Sequence, residues 1–375
     1  MFIDWLTMYQ DFEEKLPSIS GERFFVQNTV TGEILRDRQC PITHPGSYST
    51  SIIIKISANR LEVSGNPSRY DRLDNFEGFR TLQDCVDVYN TILTSLRLPN
   101  FSKCSRVWRG KADNKGKFPL ISDGACIKEI HLTSNQSNGE GMAVTVIRAL
   151  STVRYGNSIP HLFTDNNSVT WQSKLGNQRL LRPIVYNKGA ELDLHLVPKM
   201  RREFGEDSTE YKYAKNLSRY CHENGITRHE LNLKPEWLAR QNCKFWGLFD
   251  ESKFNSVHED FLAMQNKLQI NHLKVENVSD QLIRLGICSS KQASNATALY
   301  YMQWMNGHQF DLAKSQVKVH RARLRQIGVE IANPCDLTKF ASIHVINSRE
   351  VVSTPAIAPD WYRHPKRLNG LKLVA

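Results

Sequence analysis

The segment Cys126–Thr133 (CIKEIHLT) sets Ile127, Glu129 and His131 on one side against Lys128, Ile130 and Leu132 on the other. Period-two alternation places successive side chains on opposite faces of an extended chain, so this stretch predicts a strand of a half-buried sheet. Other stretches behave alike. Tyr48–Ile56 (YSTSIIIKI) is rich in β-branched residues, bounded by Pro45-Gly46 and Ala58-Asn59. Ser168–Trp171 and Leu180–Lys188 flank Gly176-Asn177, which predicts a hairpin turning near Lys174–Gln178. Ile226–Lys234 (ITRHELNLK) closes the set. Between these strands, Thr81 is an N-cap candidate with Asp84 three residues on, and Leu82, Cys85, Val86, Tyr89, Leu93 and Leu96 follow at helical spacing. A second helix is expected from Ser208 to His222, ended by Gly225. Strands separated by helices, some joined by tight hairpins, predict an α+β domain with a largely antiparallel sheet.

Beyond Phe245 the pattern turns helical: Ser256–Lys274, Ser279–Leu285 stopped by Gly286, Lys291–Asn306, and Ser315–Ile327 stopped by Gly328. The expected organisation is a first domain over residues 1–245, a helical region over 246–340 and a tail over 341–375. Charge is uneven along the chain. Forty-nine Lys and Arg face 38 Asp and Glu, a net charge of +11, and residues 291–375 alone hold twelve basic and five acidic side chains. Such an excess favours a polyanionic partner. With 40% hydrophobic and 23% charged residues among 375, the composition excludes wholesale disorder. No apolar run approaches the roughly eighteen residues of a membrane-spanning helix. The opening MFIDWLTMYQDFEEK lacks the basic and small-residue features of a secretory signal. Eight scattered cysteines with no C-x-x-C argue against a zinc ribbon and for a reducing compartment. The expectation is a soluble, basic, intracellular protein with no membrane partner.

Several residues carry potential chemistry. On a strand, Tyr186 and Lys188 point the same way, and a phenol beside an ammonium suits a nucleophile attacking phosphate. From these residues alone, the preferred reading is an ordinary strand tyrosine beside a solvated lysine. Glu129 and His131 share a face as possible ligands of a divalent metal, and the strand bearing Arg228-His229-Glu230 offers Glu230 as a hard oxygen ligand for Mg²⁺ or Mn²⁺. Ser315–Ile327 sets Val317, Leu324 and Ile327 in an apolar stripe, with Lys318, Arg321, Arg323 and Arg325 as basic positions. Together with the short helix upstream it has the outline of a helix-turn-helix, or else it is a packing helix with a solvated basic side. The Asn66-Pro67-Ser68-Arg69 turn offers Asn66 and Arg69 as phosphate contacts.

Several segments resemble, in order along most of the chain, the replication initiators of filamentous phages of the gene II/gene X type, nearest to those of vibrio filamentous phages. They are MFIDWLTMYQ at the start, Val63–Phe79 (VSGNPSRYDRLDNFEGF), Ser168–Leu192 (SVTWQSKLGNQRLLRPIVYNKGAEL), ITRHELNLK, Lys244–Asp250 (KFWGLFD) and the late PDWY. The resemblance implies a rolling-circle initiator related to the His-hydrophobic-His endonucleases. Such an enzyme nicks one strand of duplex DNA at the origin, stays attached through a 5′-phosphotyrosine and leaves a 3′-OH for the host polymerase. It later rejoins the displaced strand into a circle. The resemblance implies origin DNA, both duplex and single-stranded, a host helicase and a host polymerase as partners, in the cytoplasm of the bacterial host. The tyrosine and lysine of the family's Tyr-x-Lys motif fall on Tyr186 and Lys188. The acidic metal position of its earlier strand falls on His131, and the Glu of its Arg-aromatic-Glu strand on Glu230. This chain departs from the family in having His131 in place of Asp, Glu129 where the superfamily has a second His, and His229 in place of Phe. Tyr155, Tyr211 and Tyr213 are candidates for a second tyrosine acting in termination. The competing reading is a non-catalytic origin- or operator-binding regulator, resting on the basic helix alone.

Overall fold

The computed structural model describes residues 1–45, 51–112, 116, 118–176, 178–265, 275–335 and 353–366. Its strands begin with β1 (Phe2–Asp11), β2 (Arg23–Gln27), β3 (Ile34–Gln39), β4 (Ile42–Pro45), β5 (Ser51–Ser57) and β6 (Arg60–Gly65). They continue with β7 (Val107–Arg109), β8 (Leu120–Ser122), β9 (Cys126–Ser137), β10 (Ile159–Leu162) and β11 (Ser168–Gln172). The last are β12 (Leu181–Asn187), β13 (Ile226–Leu233) and the short β14 (Thr354–Pro355). Helices α1 (Leu82–Ser95), α2 (Ala143–Leu150), α3 (Lys188–His195), α4 (Val197–Phe204), α5 (Thr209–Glu223), α6 (Pro235–Arg240) and α7 (Ser252–Leu262) lie between them. The later helices are α8 (Val275–Arg284), α9 (Lys291–Met305) and α10 (Ser315–Gln326). Of the strand expected over Tyr48–Ile56, positions 48–50 lie outside the described residues.

One sheet runs β10-β11-β12-β13-β9-β1-β6-β5-β4, each neighbouring pair antiparallel. The chain is therefore mixed α and β around a large antiparallel sheet, as its periodicity predicts. One face buries Ile3, Leu6, Met8, Ile130, Leu132, Leu231 and Leu233 against α1 and α7. The predicted Thr81 cap is present, its side chain accepting from the Asp84 amide. Tyr89 of α1 is buried and donates to the Leu6 carbonyl at 2.6 Å, tying that helix to the central strand. The other face is covered at one end by the segment after β6 and by α3–α5, with Leu73, Phe76, Leu192, Leu217 and Tyr362 in a second cluster.

Two bulges shape the centre. The β1–β9 register skips Lys128, so Ile127 turns into the core while Glu129 faces the other side, and the alternation read across Ile127, Glu129 and His131 fails at its first member. A second shift at Asp4 lets that carboxylate and Trp5 both reach the face opposite the core, Asp4 toward Arg228 and Trp5 stacked on His131.

The boundary expected at 245 moves. Phe254, Phe261 and Met264 belong to the sheet's own core, and a separate core begins at Val278 with Leu282, Tyr301, Trp304 and Leu324. The helix expected over Ser256–Lys274 extends in its last part, 266–274, outside the described residues. Helices α9 and α10 are joined by residues 306–314, longer than the three to four residues of a helix-turn-helix turn. Of the tail expected over 341–375, residues 353–366 return to the first unit: β14 pairs with the end of β9, and the Ala356 amide donates to the Asn135 carbonyl at 3.0 Å.

Candidate active site

Strands β12, β13 and β9 set their residues in rows, since directly opposed residues share a face. Tyr186 lies opposite Arg228, and Arg228 opposite Asn135. The next row is Ile184, Glu230 and Thr133; the third is Arg182, Asn232 and His131, with Trp5 beyond on β1. One sheet face therefore gathers Tyr186, Glu230 and His131, each from a different strand and far from the others in the sequence.

Tyr186 is partly exposed and opens on a cleft of about 880 Å³ that Glu230, Glu191, Asp193 and His222 also line. Burial pushes its phenol well above the ordinary tyrosine pKa; Arg228 opposes that rise, while Glu230, Glu191 and Asp4 add to it. Lys188 is not on the strand. The strand ends at Asn187, whose side chain caps α3 by accepting from the Ala190 amide, so Lys188 is the first residue of the helix. Its ammonium is fully buried and donates to Glu191 at 2.6 Å and to Asn75 at 2.9 Å. Burial and the neighbouring Arg228 lower the Lys188 pKa, with Glu191 working the other way.

His131 stands between two carboxylates, Nε2 at 2.9 Å from Glu129 and Nδ1 at 3.1 Å from Glu230. Burial disfavours the imidazolium, yet the two carboxylates hold its pKa above the ordinary value. Glu129 also takes the Lys234 ammonium, and its carboxyl, bonded first to His131, falls to about 2. No three His, Cys, Asp or Glu side chains converge on one point among the described residues. Glu230, His131 and two buried oxygens on the same face, Thr133 Oγ1 and Asn232 Oδ1, that lack a hydrogen-bond partner are donors of the types a hard divalent ion takes. Glu129 is already engaged by a lysine, which leaves Glu230 and His131 as the donors nearest the tyrosine row.

A family model for the C-terminal part of a phage replication-associated protein matches residues 282–368. The replication-associated protein of Escherichia phage If1 is 45% identical over 317 residues, covering 84% of this chain and 98% of that protein. This chain belongs to the gene II family of filamentous-phage replication proteins. No solved structure matches it. Among its described residues, no helix is long and apolar enough to cross a membrane.

Other positions read from the sequence fall differently in this gene II family member. His229 points to the opposite face, where it is fully buried beside Thr227 and Gln265, and burial with His258 nearby lowers its pKa to about 3. A neutral core histidine there cannot reach a metal at Glu230. Asn66 is buried and donates to Asp4 at 2.7 Å while capping the short 3₁₀ turn after it, so it presents nothing to a phosphate. Arg69 donates to the Leu73 carbonyl at 3.1 Å within the same turn. On α10, Arg321 is held by the buried Glu330 at 2.5 Å, and Arg325 and Arg154 approach the same carboxylate at 3.7 and 3.2 Å. Arg323 leans on Thr297, whereas Lys318 is exposed. Of the other tyrosines, Tyr155 packs on Phe261 and Tyr213 donates to Asp74; neither they nor Tyr211 lines the cleft. Sequence reading missed Arg228 as a site residue, because an arginine inside a strand looks like a surface charge until its neighbours are known.

Proposed function

We propose that this protein is a rolling-circle replication initiator that nicks and rejoins one strand of the phage origin, with Tyr186 as nucleophile. The observation that carries this reading is a phenol opening on a cleft it shares with Glu230, beside a face where His131 joins two carboxylates. The Tyr186 oxygen attacks phosphorus, forming a Tyr–O–P bond as the P–O3′ bond breaks. The phenolic proton passes to solvent, and the electron pair of the broken bond stays on the 3′ oxygen, which takes up a proton. The 3′-OH then primes the host polymerase as a host helicase opens the duplex. Because the bond energy is kept in the phosphotyrosine, rejoining needs no nucleotide hydrolysis. Glu230 and His131 would hold Mg²⁺ or Mn²⁺, which supplies positive charge for a non-bridging phosphate oxygen. The net charge of +11 supplies sequence-independent affinity for origin DNA.

Tyr186→Phe is expected to abolish the covalent adduct with an origin strand while duplex binding persists; an adduct formed by that variant removes the assignment. A pure DNA-binding regulator would leave supercoiled origin plasmid untouched with Mg²⁺, whereas a nicking enzyme converts it to open circle.

A further inference from the structure

We infer that Arg228 is a further catalytic residue of this site, its guanidinium stabilising the Tyr186 oxygen while that oxygen attacks phosphorus. The inference rests on Tyr186 being the nucleophile. Arg228 is fully buried and lies directly opposite Tyr186 on the neighbouring strand. Its guanidinium is held in place by the protein. Nε donates to Asn135 Oδ1 at 3.0 Å, and Nη2 donates to the Phe76 carbonyl at 3.1 Å and to the Asn75 carbonyl. The Phe2 ring lies 5.3 Å from the guanidinium carbon.

The remaining nitrogen decides the matter. Nη1 is buried with no hydrogen-bond partner, and Asp4 Oδ2 is 3.6 Å away. A buried donor left unpaired is costly, so an arginine that served only to pin the segment after β6 would be better with all its nitrogens satisfied. A fixed, unpaired donor beside the nucleophile is what developing negative charge requires. Burial works against this cation, but the carboxylates of Asp4 and Glu191 nearby favour it. Lys188, the cation that Tyr-x-Lys spacing offers, already spends its ammonium on Glu191 and Asn75. Arg228 gives up no proton in the step; it only stabilises the oxygen that loses one.

The test uses the full chain, Mg²⁺ and a single-stranded oligonucleotide carrying the phage origin, measuring both strand affinity and the rate of adduct formation at saturation. Arg228→Gln is expected to slow adduct formation by about 10²-fold or more while affinity stays within about twofold. Arg228→Lys keeps a cation and should recover part of that loss, remaining about tenfold slower than the natural chain. Should the glutamine variant fail to fold, the lysine variant carries the test. A variant rate equal to the natural one overturns the inference, as does a matched loss of rate and affinity, which marks a structural role. Tyr186→Phe run alongside separates the two levels. An adduct there sinks the nucleophile reading itself, while an inactive Tyr186→Phe beside a fully active Arg228→Gln sinks only the role of Arg228.

Discussion

Glu230 and His131 are bonded to each other at 3.1 Å with Thr133 and Asn232 oxygens unsatisfied beside them. If these groups bind a cation, chelation with EDTA should stop adduct formation and Mg²⁺ or Mn²⁺ should restore it. Glu230→Gln should then raise the metal concentration needed for half-maximal nicking by at least about tenfold, since one anionic oxygen ligand is lost. Unchanged nicking by that variant at limiting Mg²⁺ would count against the ligand role. Period-two reading of ITRHELNLK made Glu230 legible, because Arg228 and Glu230 share a face by chain geometry alone. It could not rank Glu129, whose carboxylate is neutralised by Lys234, a residue far along the chain.

Among elements, the returning tail has the clearest consequence. The Tyr362 hydroxyl donates to Asp74 at 3.0 Å and accepts from the Glu77 amide at 2.8 Å, and Arg72 bonds the same oxygen. These contacts brace residues 72–77, the segment whose carbonyls at Asn75 and Phe76 hold Arg228. Tyr362→Phe keeps the ring but strands buried groups, so urea unfolding should show a loss of about 1–3 kcal/mol. A midpoint unchanged from the natural chain would show that the brace carries no weight. PDWY stood out in the sequence as a resembling segment, yet nothing in its local pattern announced a contact spanning almost 290 positions. The central strand β1 was likewise not read as a strand. Both of its faces are covered, so Phe2–Asp11 shows no alternation to recognise.

For the whole molecule, the proposed role makes net charge and its placement the source of DNA affinity. Binding to duplex should weaken steeply with salt, and Lys318→Ala should lessen the log–log slope by about 1, as expected for one phosphate contact. Arg321→Ala should leave that slope unaltered, because Arg321 is bound to Glu330 inside the helical unit. Filter binding across a salt series checks both; a slope that responds to Arg321 and not to Lys318 would reverse the assignment. Glu330 also reaches Arg154 beyond α2, so these basic residues link the helical unit to the sheet.

By itself the sequence determined the strands that carry Tyr186, Glu230 and His131, most helices and the family, because side-chain periodicity, capping residues and ordered resemblance are local properties of the chain. Only the tertiary structure decided which charges are spent and which are available. Lys188 and Glu129 meet partners from a new helix and a distant segment, and Arg321 meets Glu330 just past its own helix, while Arg228 Nη1, opposite Tyr186 and 3.6 Å from Asp4, makes no hydrogen bond. Pairing of charges depends on distance and burial, and those are set by strand order and by the two bulges of β1 and β9, not by spacing along the chain.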